Sequence, residues 1–146
     1  MTDTRSPVDY TLVSGDCEMT DDWSISLPGE FRRRFEDGSL VLWRPGITAW
    51  IMVWGNDHAR PERDRLLQRL GRISPDAFDV VQEEALGLLR FSYRLAEDAD
   101  DDRVAALYGF VFGARGDVQM GIYFDSDGDL PDAEALWRGV HAAGAA

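Results

Sequence analysis

Three sets of residues have types and spacings that suit chemistry. Asp125-Ser-Asp-Gly-Asp129 alternates carboxylates directly after a predicted strand, a pattern that presents oxygen ligands to calcium. It departs from an EF-hand loop: glycine stands fourth, leucine sixth, and Leu136 occupies the place of the bidentate glutamate. The competing reading is a polar loop in which Asp129 or Asp132 caps the following helix. The second set is His58, His141 and Cys17. His58 sits beside Asp57 in a loop, and His141 falls near the end of a predicted helix, where positive charge is favourable in any case. Cys17 lies among acids, which makes it a poor nucleophile. The third set is aromatic, with three of the five tryptophans inside residues 40–55.

No nucleophile elbow, phosphate loop, zinc-protease helix or dinucleotide fingerprint is present. The chain therefore reads as non-enzymatic, with no catalytic residue, metal or cofactor assigned. Arg115-Gly116-Asp117 matches an adhesion tripeptide but suits a hairpin turn better. Arg32-Arg33-Arg34 suits a solvated edge better than a partner site.

The 27 acidic and 15 basic residues leave a net charge of -12. That charge opposes nucleic-acid binding, which needs a basic footprint. No apolar run reaches the roughly 18 residues of a membrane span, and the polar start Met1-Thr-Asp-Thr-Arg does not read as a signal peptide. One cysteine excludes an internal disulfide. Together these points lead to the expectation of a cytoplasmic protein. At 146 residues the chain reads as one domain, 1–146, with 1–9 a loose tail.

The elements that must position these residues follow from periodicity. Residues 10–13 predict a short edge strand, and Trp23-Ser-Ile-Ser-Leu27 alternates as a half-buried strand. Leu40 to Gly55 predicts a hairpin around Pro45-Gly46, whose residues fit the centre of a type II turn. A two-residue connection opposes 44 to 47 and 41 to 50. It puts Val41, Trp43, Trp50, Met52 and Trp54 on one face and Leu40, Leu42, Ala49, Ile51 and Val53 on the other. Residues 60–73 predict a helix with a stripe of Leu66, Leu67, Leu70 and Ile73, its arginines mostly off that stripe.

Residues 75–96 fit either a helix capped at Ser74-Pro75 or a hairpin turning at Leu86-Gly87. The hairpin is preferred because it opposes Glu83 to Arg90 and Asp79 to Arg94. Glu97 to Asp102 reads as an acidic loop. Val104 to Phe124 predicts a hairpin around Arg115-Gly116, with Gly121 opposite Phe110. Tyr108, Phe110, Phe112 and Tyr123 then share one face, and Leu107, Val111, Met120, Ile122 and Phe124 the other. Residues 131–143 predict a closing helix with a stripe of Ala133, Leu136, Trp137 and Val140, and 144–146 a frayed end.

These elements predict an α+β domain: an antiparallel sheet of about six to seven strands with two helices packed on its aliphatic face. The element order, with Ile25-Ser-Leu-Pro-Gly-Glu-Phe31, resembles the Mog1/PsbP-like fold of small single-sheet domains. It is also similar to an uncharacterised small bacterial protein family. The fold resemblance implies binding roles, including those of adaptors that chaperone secretion effectors, more than catalysis.

The expectation is a protein-binding domain whose partner or ligand meets Trp43, Trp50, Trp54, Tyr108, Phe110, Phe112 and Tyr123. The competing reading buries those aromatics as core. The partner is another protein or a second copy of the chain as a two-fold dimer. A different class, an acidic toxin-neutralising immunity protein, would instead use Glu97 to Asp102 and Asp125 to Asp132.

Overall fold

The structure is a computed structural model and describes residues 11–56, 59–96 and 104–143. The expected tail, His58, the acidic loop and the frayed end lie outside the described residues. Among the described residues eleven strands and two α-helices follow in chain order. They are β1 (Thr11–Val13), β2 (Asp16–Glu18), β3 (Trp23–Ser26), β4 (Phe31–Glu36), β5 (Ser39–Arg44), β6 (Ile47–Gly55) and α1 (Glu62–Leu70). Then come β7 (Phe78–Ala85), β8 (Leu88–Leu95), β9 (Ala106–Gly113), β10 (Gly116–Phe124), α2 (Leu130–Arg138) and β11 (Val140–Ala142).

The fold class is α+β, as the hairpin succession predicts. Eight strands form one antiparallel sheet in the order β1-β4-β5-β6-β10-β9-β8-β7, and β11-β3-β2 form a separate small sheet. The expected six or seven strands are thus too few. Asp16–Glu18, a polar and acidic stretch, forms a strand of the small sheet, and Phe31–Glu36 joins the main sheet beside the edge strand β1. The arginine run hides β4, because its side chains carry no apolar alternation for a sequence reading to detect.

The β5–β6 hairpin has the expected register, with Arg44 opposite Ile47, Val41 opposite Trp50 and Leu40 opposite Ile51. Gly46 takes φ +89, as the second central residue of a type II turn requires. The β7–β8 hairpin turns at Leu86-Gly87 and pairs Glu83 with Arg90 as expected. A bulge between Phe78 and Val81 breaks the rest of that register, so Phe78 and not Asp79 lies opposite Arg94. The β9–β10 hairpin turns at Ala114-Arg115, one residue earlier than expected. Gly121 therefore faces Tyr108 and not Phe110. Moving a two-residue turn by one position shifts the register by two, so every side chain keeps its predicted face.

The faces are covered differently from the expectation. On the aliphatic face, Leu40, Leu42, Ala49, Ile51, Leu107, Val111, Val118, Met120 and Ile122 pack under α2 and the small sheet. Ala133, Leu136 and Trp137 of α2, Trp23 and Ile25 of β3, and Val140 of β11 complete this core. Trp137 lies directly on Gly109, where an added Cβ would stand 2.5 Å from its Cδ1, and its Nε1 donates to the Phe110 carbonyl at 3.2 Å. Val140 is buried as expected, but in a strand: the closing helix ends at Arg138 and the chain turns into β11 beside β3.

The first helix packs on the opposite, aromatic face. Leu66, with Leu70 and Ile73, covers Phe91, Phe110 and Phe112. Two helices on one face is therefore corrected to one helix on each. The cause is strand order. The β10–β9 hairpin inserts between β6 and β8, so α1 joins β6 to β7 across three intervening strands. Alternation along the antiparallel sheet makes β6 and β7 parallel. A connection between parallel strands of one sheet takes its side from the sheet's twist, not from the composition of the face it crosses.

Candidate functional site

The aromatic face is laid out in cross-strand rows. Leu89, Phe112, Asp117 and Trp54 form one row from β8 to β6. Phe91, Phe110, Gln119 and Met52 form the next. Tyr93, Tyr108, Gly121, Trp50, Val41 and Arg34 form the third, which reaches β4. Tyr123, Thr48, Trp43 and Arg32 lie beyond it.

The seven residues singled out from sequence do share this face, and α1 divides them. Phe110 and Phe112 are 4% and 2% exposed and belong to the core under α1, so they offer no surface to a partner. Phe110 stacks on Phe91 with ring centroids 4.5 Å apart. Of the remaining five, Tyr108 on β9 packs at the edge of that cluster, and Tyr123, Trp54, Trp50 and Trp43 lie on β10, β6 and β5. Trp54 is 52% exposed and Tyr123 37%, and Trp43, Trp50 and Tyr108 are half-buried. Met52, 36% exposed, lies on the same strip. The Tyr108 ring meets Tyr93 at 5.4 Å in a stacked arrangement and Tyr123 at 6.3 Å edge-on.

Arginines border this strip: Arg34, which the sequence assigns to a solvated edge, on one side, and on the other a group on α1 that the sequence does not single out. At the β4 side the Arg34 guanidinium lies 4.7 Å from the Trp43 ring centre and 5.8 Å from that of Trp50. This is a cation–π arrangement rather than a merely solvated edge. Arg34 also pairs with Glu36 at 3.3 Å. At the α1 side a cavity of about 170 Å³ is lined by Arg60, Arg65, Arg69, Arg72, Asn56, Gln68 and Asp117, with Gly55 and Phe112.

Within that cavity Arg65 is buried, against the expectation that it points away from the helix's packed side. Leu67 is the residue of the predicted stripe that is exposed instead. Arg65 donates to the Asp117 carboxylate and to the carbonyls of Gly113 at 2.5 Å and Gly116 at 3.3 Å. It thereby ties α1 to the β9–β10 turn. Burial pushes the Asp117 carboxyl above its usual range, an effect the Arg65 charge and hydrogen bond oppose. Arg60 donates to Gln68 Oε1 at 2.6 Å, and the Arg69 guanidinium lies 5.4 Å from the Phe110 ring centre. Arg60, Arg69 and Arg72 meet no carboxylate at ion-pair distance among the described residues.

The other candidates are placed as follows. The aspartates after β10 serve different cations. Arg44 of β5 pairs with Asp132 at 2.5 Å and Asp129 at 3.7 Å, while Asp127 lies 3.8 Å from Arg94. Asp129 stands at the N-cap of α2 but makes no side-chain cap hydrogen bond. Among the described residues no group of three His, Cys, Asp or Glu side chains gathers as metal ligands. The Arg115-Gly116-Asp117 tripeptide straddles the β9–β10 turn, with Arg115 paired to Asp22 at 3.1 Å.

His141 has partners that periodicity did not supply, because it lies on β11 and not on a helix. Its Nε2 lies 2.7 Å from the Asp16 carboxylate and 3.4 Å from Ser26 Oγ. A serine–histidine–aspartate relay needs serine and carboxylate on opposite ring nitrogens. Here both meet Nε2, and Nδ1 faces the Ala142 carbonyl at 3.4 Å, so the arrangement is a hydrogen-bonded contact across the small sheet and not a relay. Cys17 is buried and accepts from Arg33 Nη1 at 3.2 Å.

The site and fold thus define an α+β sheet domain with one face covered over its centre and the other left partly open. Comparison with protein-family models, curated proteins and solved structures finds no match to this chain. No helix among the described residues is long and apolar enough to cross a membrane.

Proposed function

We propose that this chain is a non-enzymatic protein-binding domain, of the adaptor or chaperone kind, that docks its partner on the open strip of the aromatic face. The observation that carries this reading is the extent of α1. The helix covers Phe91, Phe110 and Phe112 and stops short of Trp54, Met52, Trp50, Trp43 and Tyr123. Single exposed apolar residues are ordinary on a protein surface, but contiguous aromatic ones mark interaction sites. Large aromatics backed by a rigid sheet lose little entropy on docking and dominate interface energies. An adaptor role accords with the Mog1/PsbP-like resemblance, and a cytoplasmic setting with the single cysteine.

The test compares wild type with Trp54→Asp/Met52→Asp, both positions being exposed. Each protein is used to capture partners from the native host and is run in sedimentation. A partner, or a second copy, retained by wild type and lost by the double variant at unchanged melting temperature supports the reading. Identical partners and identical mass for the two proteins would end it.

A further inference from the structure

The chemistry of the partner can be argued from the border of the strip, on the understanding that this rests on the aromatic face being the docking surface. The chain as a whole is strongly acidic, yet residues 60–72 hold five of its 15 arginines against two acids. Four of those five line the cavity at the end of the strip. One of the four, Arg65, is consumed by Asp117 and the carbonyls of the β9–β10 turn. Arg60, Arg69 and Arg72 converge on the same cavity without a carboxylate at ion-pair distance among the described residues. The Asp117 carboxylate lines the cavity and feels the charges of Arg60 and Arg69 as well as that of Arg65, but one carboxylate against four guanidiniums leaves an excess of positive charge that a further anion would relieve.

The cavity is continuous with the aromatic strip. Gly55 lines it and follows Trp54 directly, and Asp117 and Phe112 share the cross-strand row of Trp54. From that row to Tyr123 is six residues along β10, about 20 Å at the usual strand rise. An extended segment of about six residues would span from the arginines to Tyr123.

We propose that the partner presents a short acidic–apolar segment. One or two carboxylates enter the Arg60–Arg69–Arg72 cavity, and apolar side chains within about six residues of them lie on Trp54, Met52 and Trp50. The arginines choose the partner's charge and direction along the strip, and the indoles supply the apolar contact. A basic partner, which the overall acidity would attract elsewhere on the surface, is repelled at this end.

The test uses a random dodecapeptide library displayed on phage, selected on the full chain and on variants. Wild type is expected to enrich peptides with Asp or Glu within about six positions of Leu, Phe or Trp. A synthetic copy of the leading peptide should bind at least tenfold more weakly to Arg69→Glu/Arg72→Glu. It should also weaken as salt rises from 50 to 300 mM, since opposite charges at an interface are screened. Arg69→Gln/Arg72→Gln serves if charge reversal disturbs the fold. Enrichment without acidic residues, or equal affinity for the arginine variants, would overturn the acidic partner. If such peptides were still lost by Trp54→Asp/Met52→Asp, the docking face would stand. Peptides indifferent to that double variant, or no enrichment at all, would overturn both. A wild-type dimer dissociated by Arg69→Glu/Arg72→Glu would assign the cavity to a second copy and overturn the peptide segment.

Discussion

The two faces of the main sheet are built from the same strands and meet different fates. On the aliphatic side α2 and the small β2–β3–β11 sheet close over the centre of the sheet, leaving only its margins, such as Phe35 and Val53, in water among the described residues, and Trp137 sits against backbone at Gly109. On the aromatic side a helix of nine residues covers one end only, and most of the large side chains stay at least partly in water. The difference teaches that size and apolarity of a side chain do not tell whether it is core. Phe110 and Trp54 point to the same side of the sheet, and only the position of α1 separates them.

Substitutions can break or sharpen this contrast. Trp137→Ala should have the largest effect, a loss of about 3–5 kcal/mol of unfolding free energy in chemical denaturation, because a fully buried indole leaves a cavity. A loss below 1 kcal/mol would mean that α2 is not the lid of this face. Phe110→Ala should cost about 3 kcal/mol, near the lower end for a buried aromatic, since the smaller α1 layer can settle onto the gap. Arg65→Met should cost about 2 kcal/mol. That is less than the loss of a fully buried ion pair, because Asp117 keeps 22% of its side chain in water. Restoring part of it with Asp117→Leu in the same chain would show that the orphaned carboxylate carries the penalty. Trp54→Ala should change stability by no more than about 0.5 kcal/mol, as exposed positions do. A drop comparable to that of Phe110→Ala would place Trp54 in the core and remove the contrast within the aromatic face.

Legibility in the sequence varied with the range of the cause. The β5–β6 hairpin was readable to the exact register, because Pro45-Gly46 dictates its own turn and the alternation on both sides agrees with it. The β9–β10 turn was misplaced by one residue, since glycines at 109, 113, 116 and 121 make several turns compatible with one pattern. The bulge before Val81 could not be anticipated, because Asp79 adopts a left-handed φ of +51 that nothing local requires. β11 was absorbed into the closing helix because Val140 continues the helical stripe. Its pairing with Ile25 lies more than 100 residues away. The arginine cavity was hidden for a related reason. Arg65 reads as an exposed helical charge until the β9–β10 turn is brought beneath it.

The sequence by itself determined that this chain is an antiparallel α+β domain, which side chains share each side of each strand, and that those sides divide into aliphatic and aromatic. These follow from the two-residue period of a strand and the chemistry of its turns, which act within a few residues. The tertiary structure alone decided the strand order, with β10 beside β6, and hence that α1 crosses the aromatic face while α2 takes the other. It also decided which aromatics are covered and that arginines gather where the cover ends. Those choices come from long-range pairing and from the handedness of the connection between parallel strands, neither of which is written in any local window of the chain.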